Sequence, residues 1–339
     1  TNAPDLAQLV TINAETTGSI TLDVTNGALS GSAADLVLAF AGITTYTGNL
    51  TITDAPDLAQ LVAINAATSG DITLDVTGDA LSGTAADLVL AFAGTVTEHT
   101  GTVTITDAPD LAQLVTINAE TTGDITLDDA TGALSGSAAD LVLAFAGTVT
   151  THTGIVTITD APDLAQLVAI NAETTGSITL DVTNGALSGS AADLVLAFAG
   201  TVTEHTGTVT ITDAPDLAQL VTINAETTGD ITLDVTNGAL SGSAADLVLA
   251  FAGTVTEHTG TVTITDAPDL GQLVAINAAT SGAITLQVTG GALSGSAADL
   301  VLAFAGITTY TGNLTITDAP DLAQLVAINA ATSGDITLD

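Results

Sequence analysis

The chain has 339 residues, 38 acidic side chains, no lysine or arginine and no cysteine. Its formal charge of −38 excludes nucleic acid and anionic membrane surfaces as partners, because phosphate recognition needs cations on the protein, and it makes cations the natural company. The lack of cysteine excludes a disulfide framework and thiol chemistry, and no apolar stretch is long enough to predict membrane insertion.

The seven prolines are Pro4, Pro56, Pro109, Pro162, Pro215, Pro268 and Pro320, each in Ala-Pro-Asp-Leu, at spacings of 52, 53, 53, 53, 53 and 52. Six phenylalanines keep the same beat, from Phe40 to Phe304. A period of this length marks solenoids, propellers or arrays. It overrides the two or three globular domains that length alone suggests. Residues 1–339 therefore read as one continuous array, with units near 1–49, 50–101, 102–154, 155–207, 208–260, 261–312 and a partial 313–339. The two 52-residue steps occur where Ala-Gly-Ile-Thr-Thr-Tyr replaces Ala-Gly-Thr-Val-Thr-Glu-His, at Tyr46 and Tyr310. Residues 24–75 match 288–339 at 51 of 52 positions, which gives a higher period of five units. The expectation is a piece of a longer array.

Residues 50–101 carry the pattern of one unit. Thr51 to Thr53 alternate polar and apolar, as a strand does. Asp54 is placed to cap a helix, with Pro56 in its first turn and Asp57 at the third position. Leu58, Leu61 and Val62, joined by Asn65 or Ala66, share a face of that helix. Thr68, Ser69 and Gly70 stop it. A second strand runs over 72–76, with Ile72, Leu74 and Val76 on one face, and 78–83 reads as a loop. Thr84 with Asp87 opens a second, short helix that is apolar on most sides, and Gly94 ends it.

This strand–helix–strand–helix order predicts an α/β solenoid, with two strand–short-helix coils per 53-residue repeat and a parallel sheet on one face. About thirteen coils at roughly 4.8 Å each give a stack on the order of 60 Å. A β-solenoid is the alternative. The Ala- and Leu-rich tracts favour helix over it. One unit cannot bury its own apolar face, so stacking supplies the core, and open ends invite end-to-end self-association.

The acidic residues recur in series. Asp23, Asp75, Asp128, Asp181 and Asp234 follow the second strand, with Gln287 breaking the run, and calcium is the ion such a ladder would hold. A solvated acidic face is the plainer reading. Asp54, Asp107, Asp160, Asp213, Asp266 and Asp318 read as helix caps. His99, His152, His205 and His258 share a position with Tyr46 and Tyr310, which points to an exposed or stacking ring and not to catalysis. Thr102, Thr104 and Thr106 form part of a repeated Thr row that admits ice binding as a further alternative. Asn65 and its copies suit an inward, structural role. No nucleophile elbow, phosphate loop or metal-hydrolase motif is present, and near-identical units offer no distinctive pocket, so no enzyme is expected.

The strings Thr-Ile-Thr-Asp-Ala-Pro-Asp-Leu-Ala-Gln-Leu-Val-Ala-Ile-Asn-Ala-Ala-Thr-Ser-Gly and Asp-Ile-Thr-Leu resemble the low-complexity repeats of very large bacterial surface and extracellular proteins. The resemblance covers the whole chain. It implies secretion, a cell-surface or extracellular place, an adhesin-like stalk, fibre or matrix role, and association with calcium.

Overall fold

A computed structural model describes residues 3–43, 45–307 and 309–339 of the chain. Thr44 and Thr308, inside the two variant stretches, lie outside the described residues. Contacts group the chain into two compact units: residues 1–160 with 172–179, and 161–171 with 180–339.

The repeat is clearest in the first unit. From Leu81 the path runs strand Leu81–Gly83, helix Ala85–Ala91, strand Val103–Ile105, helix Leu111–Ala119 and strand Ile125–Leu127. These five pieces are called here the LSG strand, AAD helix, VTI strand, LAQ helix and ITL strand. The fold is an α/β solenoid, and the tracts that a β-solenoid needs as strands are helices.

Local chemistry sets each boundary. Thr84 caps the AAD helix by accepting the Asp87 N–H at 3.1 Å, and its hydroxyl donates to the Asp87 carboxylate at 2.9 Å. Ala85, Leu88 and Ala91, at helical spacing, face the core. Gly94 follows with φ +77°, the left-handed conformation that closes a helix without a Cβ penalty. The LAQ helix is capped by Asp110, whose carboxylate accepts the Gln113 N–H while the Gln113 side chain accepts the Asp110 N–H. This corrects the cap expected from sequence. The helix starts at Leu58, and Asp57 is its cap. Asp54 stands too far upstream and serves another helix.

That other helix belongs to the preceding coil. Asp54 accepts the N–H of Ala33 at 2.7 Å, and Asp107 accepts that of Ala85 at 2.8 Å. Asp160 does the same for Ala138. In the second unit Asp213, Asp266 and Asp318 reach Ala191, Ala244 and Ala297. The series staples one coil to the next.

The strands pair in parallel and in register. Leu81, Val103 and Ile125 are partners, as are Ser82, Thr104 and Thr126, and Gly83, Ile105 and Leu127. Outer residues of each strand point into the core and the central hydroxyl points away, as period-two alternation requires. The LSG segment, expected as a loop, is thus a strand: Leu81 is 3 % exposed and fixes its register. Among the described residues the parallel ladder comes in six three-stranded sheets. In the second unit they run Leu187–Val209–Ile231, Leu240–Val262–Ile284 and Leu293–Leu314–Ile336. Val76, assigned to the core face, is 37 % exposed, because the strand ends at Leu74.

Sheets break for a reason visible in the register. Partners Leu81, Val103 and Ile125 stand 22 residues apart. Leu134, nine residues beyond Ile125, then opens a new sheet with Val156, while Ile125 bridges Val149. Glycine columns mark the corners. A Cβ on Gly123 would lie 1.9 Å from the Gly101 carbonyl oxygen, so only glycine lets successive coils close there. In the 52-residue units the missing residue falls between helix and strand: Leu29 pairs with Leu50 and Leu50 with Ile72, so the ladder is undisturbed.

Candidate functional site

The five aspartates of the expected calcium ladder, Asp23, Asp75, Asp128, Asp181 and Asp234, are all exposed at the ends of ITL strands or their equivalents. The backbone N–H of Asp75, Asp128 and Asp234 extends the ladder to Ile52, Ile105 and Ile211. The register keeps the series apart: Ile125 is covered by Val149 and lies on Val103, so copies of one aspartate do not stack on each other. Among the described residues no group of three or more His, Asp or Glu side chains is close enough to hold a metal ion.

The histidines are interior. His99, His152, His205 and His258 are 2–3 % exposed, so the exposed alternative for this ring is corrected. Each packs against its repeat's phenylalanine: His99 on Phe92 with centroids 6.1 Å apart, His258 on Phe251 at 5.8 Å. His205 and His258 place Nε2 at 2.7 and 2.8 Å from the carbonyls of Gly185 and Gly238. Tyr46 and Tyr310 donate their hydroxyls to the corresponding carbonyls of Gly27 and Gly291. A longer ring on a loop one residue shorter therefore reaches the same acceptor, which explains the His/Tyr exchange. Neither ring nitrogen of His99 or His152 has a hydrogen-bond partner. Burial holds the pKa of all four histidines below the ordinary value, for His99 against the opposing pull of Asp79. Glu120 is shifted upward by burial and by the neighbouring charge of Glu98. The Glu98–His99 sequence makes no joint proton site, since Glu98 is exposed and His99 is buried.

Hydroxyl rows exist but are short. Ser82, Thr104 and Thr126 align across one sheet and Ser241, Thr263 and Thr285 across another, three rungs deep. At the corners hydroxyls bond each other instead, as Thr77 with Thr100 at 3.0 Å. Asn65 and its copies are structural, as expected. Asn118 donates to the carbonyls of Ala144 and Ala146, both at 2.8 Å, and so satisfies the end of the following helix.

Sequence reasoning missed one recurrent feature. Where the LAQ helix meets the next LSG strand, a groove of about 430 Å³ opens between Leu58, Ala59, Val62 and Ala63 on one side and Ser82, Gly83 and Asp87 on the other. In the second unit the same groove recurs over Leu164 and Gly189, at about 450 Å³, and over Leu217 and Gly242, at about 430 Å³. One turn beyond Asp87, Leu90 is 55 % exposed, and its copies Leu38, Leu143, Leu196, Leu249 and Leu302 are exposed to the same degree. The signal was present in the AAD helix, which is apolar on more sides than burial requires.

No family model matches the chain, and no curated protein matches it either. Among the described residues no helix is long and apolar enough to cross a membrane.

Proposed function

We propose that the chain is a structural repeat segment of an extracellular or cell-surface fibre, stalk or matrix element of bacterial, adhesin-like type, that it assembles end to end, and that it is not an enzyme. One observation carries this reading. Within each compact unit near-identical coils bury their apolar faces on one another, so that Leu127, at a strand end inside the array, is 6 % exposed. A solenoid whose coils stack on near-copies of themselves lengthens by adding further coils, which supports end-to-end assembly. The sameness of the units supports length and surface as the selected properties. The sequence resemblance supports the location.

A charge of −38 opposes association at low ionic strength, so assembly should strengthen with salt or divalent cations. Electron microscopy and light scattering across a salt series test this. The expected result is elongated, end-to-end particles whose length grows with salt. A compact monomer at every salt and protein concentration would refute the reading. Calcium and ice remain alternatives only as the exposed aspartates and three-rung hydroxyl rows allow. Calorimetric calcium uptake or a depressed freezing point would favour them.

A further inference from the structure

We propose that the grooves between LAQ and AAD helices dock a cationic amphipathic helical segment of a partner protein, with apolar side chains in the grooves and lysine or arginine on the flanking aspartates. Each groove has an apolar floor from Leu58, Ala59 and Val62. Gly83 has no side chain, and the Leu58 Cδ2 packs into the space a Cβ would take. About 430 Å³ is within the size range of specific ligand pockets. Leu90 adds a second apolar contact one helical turn from Asp87, so an acidic and an apolar group follow each other along the AAD helix beside the groove.

Charge selects the occupant. Asp57 and Asp87 are exposed beside the groove, and the chain holds no lysine or arginine to answer them. A second copy would bring only further carboxylates, and anionic lipid would do the same. A zwitterionic bilayer offers apolar chains without net positive charge. A basic amphipathic helix answers both features at once: apolar residues at i, i+3, i+4 and i+7 enter grooves while its cations meet the rim. Recurrence through Leu38, Leu90 and Leu143 in one unit, and Leu196, Leu249 and Leu302 in the other, gives a longer partner several points of attachment.

The test uses the full chain and a labelled peptide of about 18 residues with leucine and lysine at amphipathic helical spacing. Fluorescence anisotropy should show binding that weakens with salt. A glutamate-for-lysine peptide should not bind, and a serine-for-leucine peptide should bind at least about tenfold more weakly. Replacing Leu90 and its five copies, Leu38, Leu143, Leu196, Leu249 and Leu302, by glutamine should weaken binding by about tenfold or more with the circular dichroism spectrum unchanged. Gly83→Ala, with the same change at its copies, should act likewise: the new Cβ would fall 2.2 Å from the Leu58 Cδ2 and drive that side chain into the groove. Equal binding by the serine peptide, undiminished binding by the leucine-to-glutamine variant, or binding of the glutamate peptide would each overturn the proposal. So would competition by zwitterionic vesicles, or self-association that the leucine changes abolish. The readout does not depend on filament formation, because a monomer that binds the peptide supports this inference while removing the fibre reading.

Discussion

Asp107 reaches back across a coil, and its Oδ1 accepts the N–H of Ala85 at 2.8 Å. Ala85 is wholly buried at the first position of its helix, where the backbone N–H has no partner within the helix. Asp107→Ala strands that N–H in the interior. An unsatisfied buried donor costs about 1–3 kcal/mol, and the exposure of Asp107 places the expected loss nearer about 1–2 kcal/mol. One effect opposes it. Removing one of 38 like charges relieves some repulsion, but between exposed groups in salt this amounts to about a few tenths of a kcal/mol. Hydrogen-bond loss therefore wins in Asp107→Ala. In Asp107→Asn the acceptor stays and the charge goes, so that variant should match or slightly exceed the parent.

Global denaturation suits this test poorly, because long arrays depart from two-state unfolding. Hydrogen exchange at the Ala85 amide reads the opening locally. Asp107→Ala should accelerate it about five- to thirtyfold, the factor for one to two kcal/mol, with Asp107→Asn close to the parent. Asp128→Ala, at an exposed strand end, should leave it unchanged. Unchanged exchange in Asp107→Ala, or equal acceleration by alanine and asparagine, would refute the inter-coil cap.

Asn118→Ala removes two hydrogen bonds to helix-end carbonyls and should cost about 1–3 kcal/mol, read as faster hydrogen exchange of the amides around the affected helix end. Two glycines separate conformational from steric cost in the same assay. Gly147→Ala meets nothing within 4 Å at φ +75° and should cost about 1 kcal/mol, whereas Gly154→Ala sets a Cβ 2.4 Å from the Thr131 carbonyl oxygen and should cost about 3 kcal/mol. Acid should destabilise the fold through the four histidines, whose pKa values burial lowers. Their contribution is complete above the unfolded value of about 6.5 and is lost as pH falls from there through the lowered folded value, since the unfolded chain binds the protons first. Grafting the Ile-Thr-Thr-Tyr loop into the four histidine repeats should remove that acid loss, and an unchanged pH profile would show the histidines to be uninvolved. Glu120, shifted the other way, contributes stability below the ordinary carboxylate range that is lost as pH rises through its raised value, so its effect has the opposite sign to that of the histidines.

Much of this fold was legible because the relevant signals are local. Thr84 with Asp87 fixes one helix start, and Gly94 fixes its end, from a few residues of sequence. Proline and phenylalanine spacing gives the repeat without any structure. What was not legible depends on register between coils. Asp54 and Asp57 both suit an N-cap by residue type, and only the position of Ala33, 21 residues upstream, shows that Asp54 is already engaged. The LSG strand has Ser and Gly where β propensity is poor, so its identity as a strand comes from Val103 beside it and not from itself. The buried place of His99 was hidden for the same reason, since Phe92 and the coil around it are assembled by stacking.

The candidate sites divide along the same line. In-register partners are 22 residues apart, and two such steps fall nine residues short of the 53-residue repeat. Copies of one side chain in successive repeats therefore do not share a column, however regular they look in sequence. Asp75 and Asp128 cannot pool their oxygens for one ion, and Thr104 and Thr157 belong to different three-stranded sheets. The groove at Leu58 escapes this dispersal, because every residue that forms it comes from one LAQ helix and the LSG strand and AAD helix directly after it. A ligand of this surface must accordingly be recognised within a single repeat. Repetition can then add affinity only for a partner long or flexible enough to follow the chain from one groove to the next.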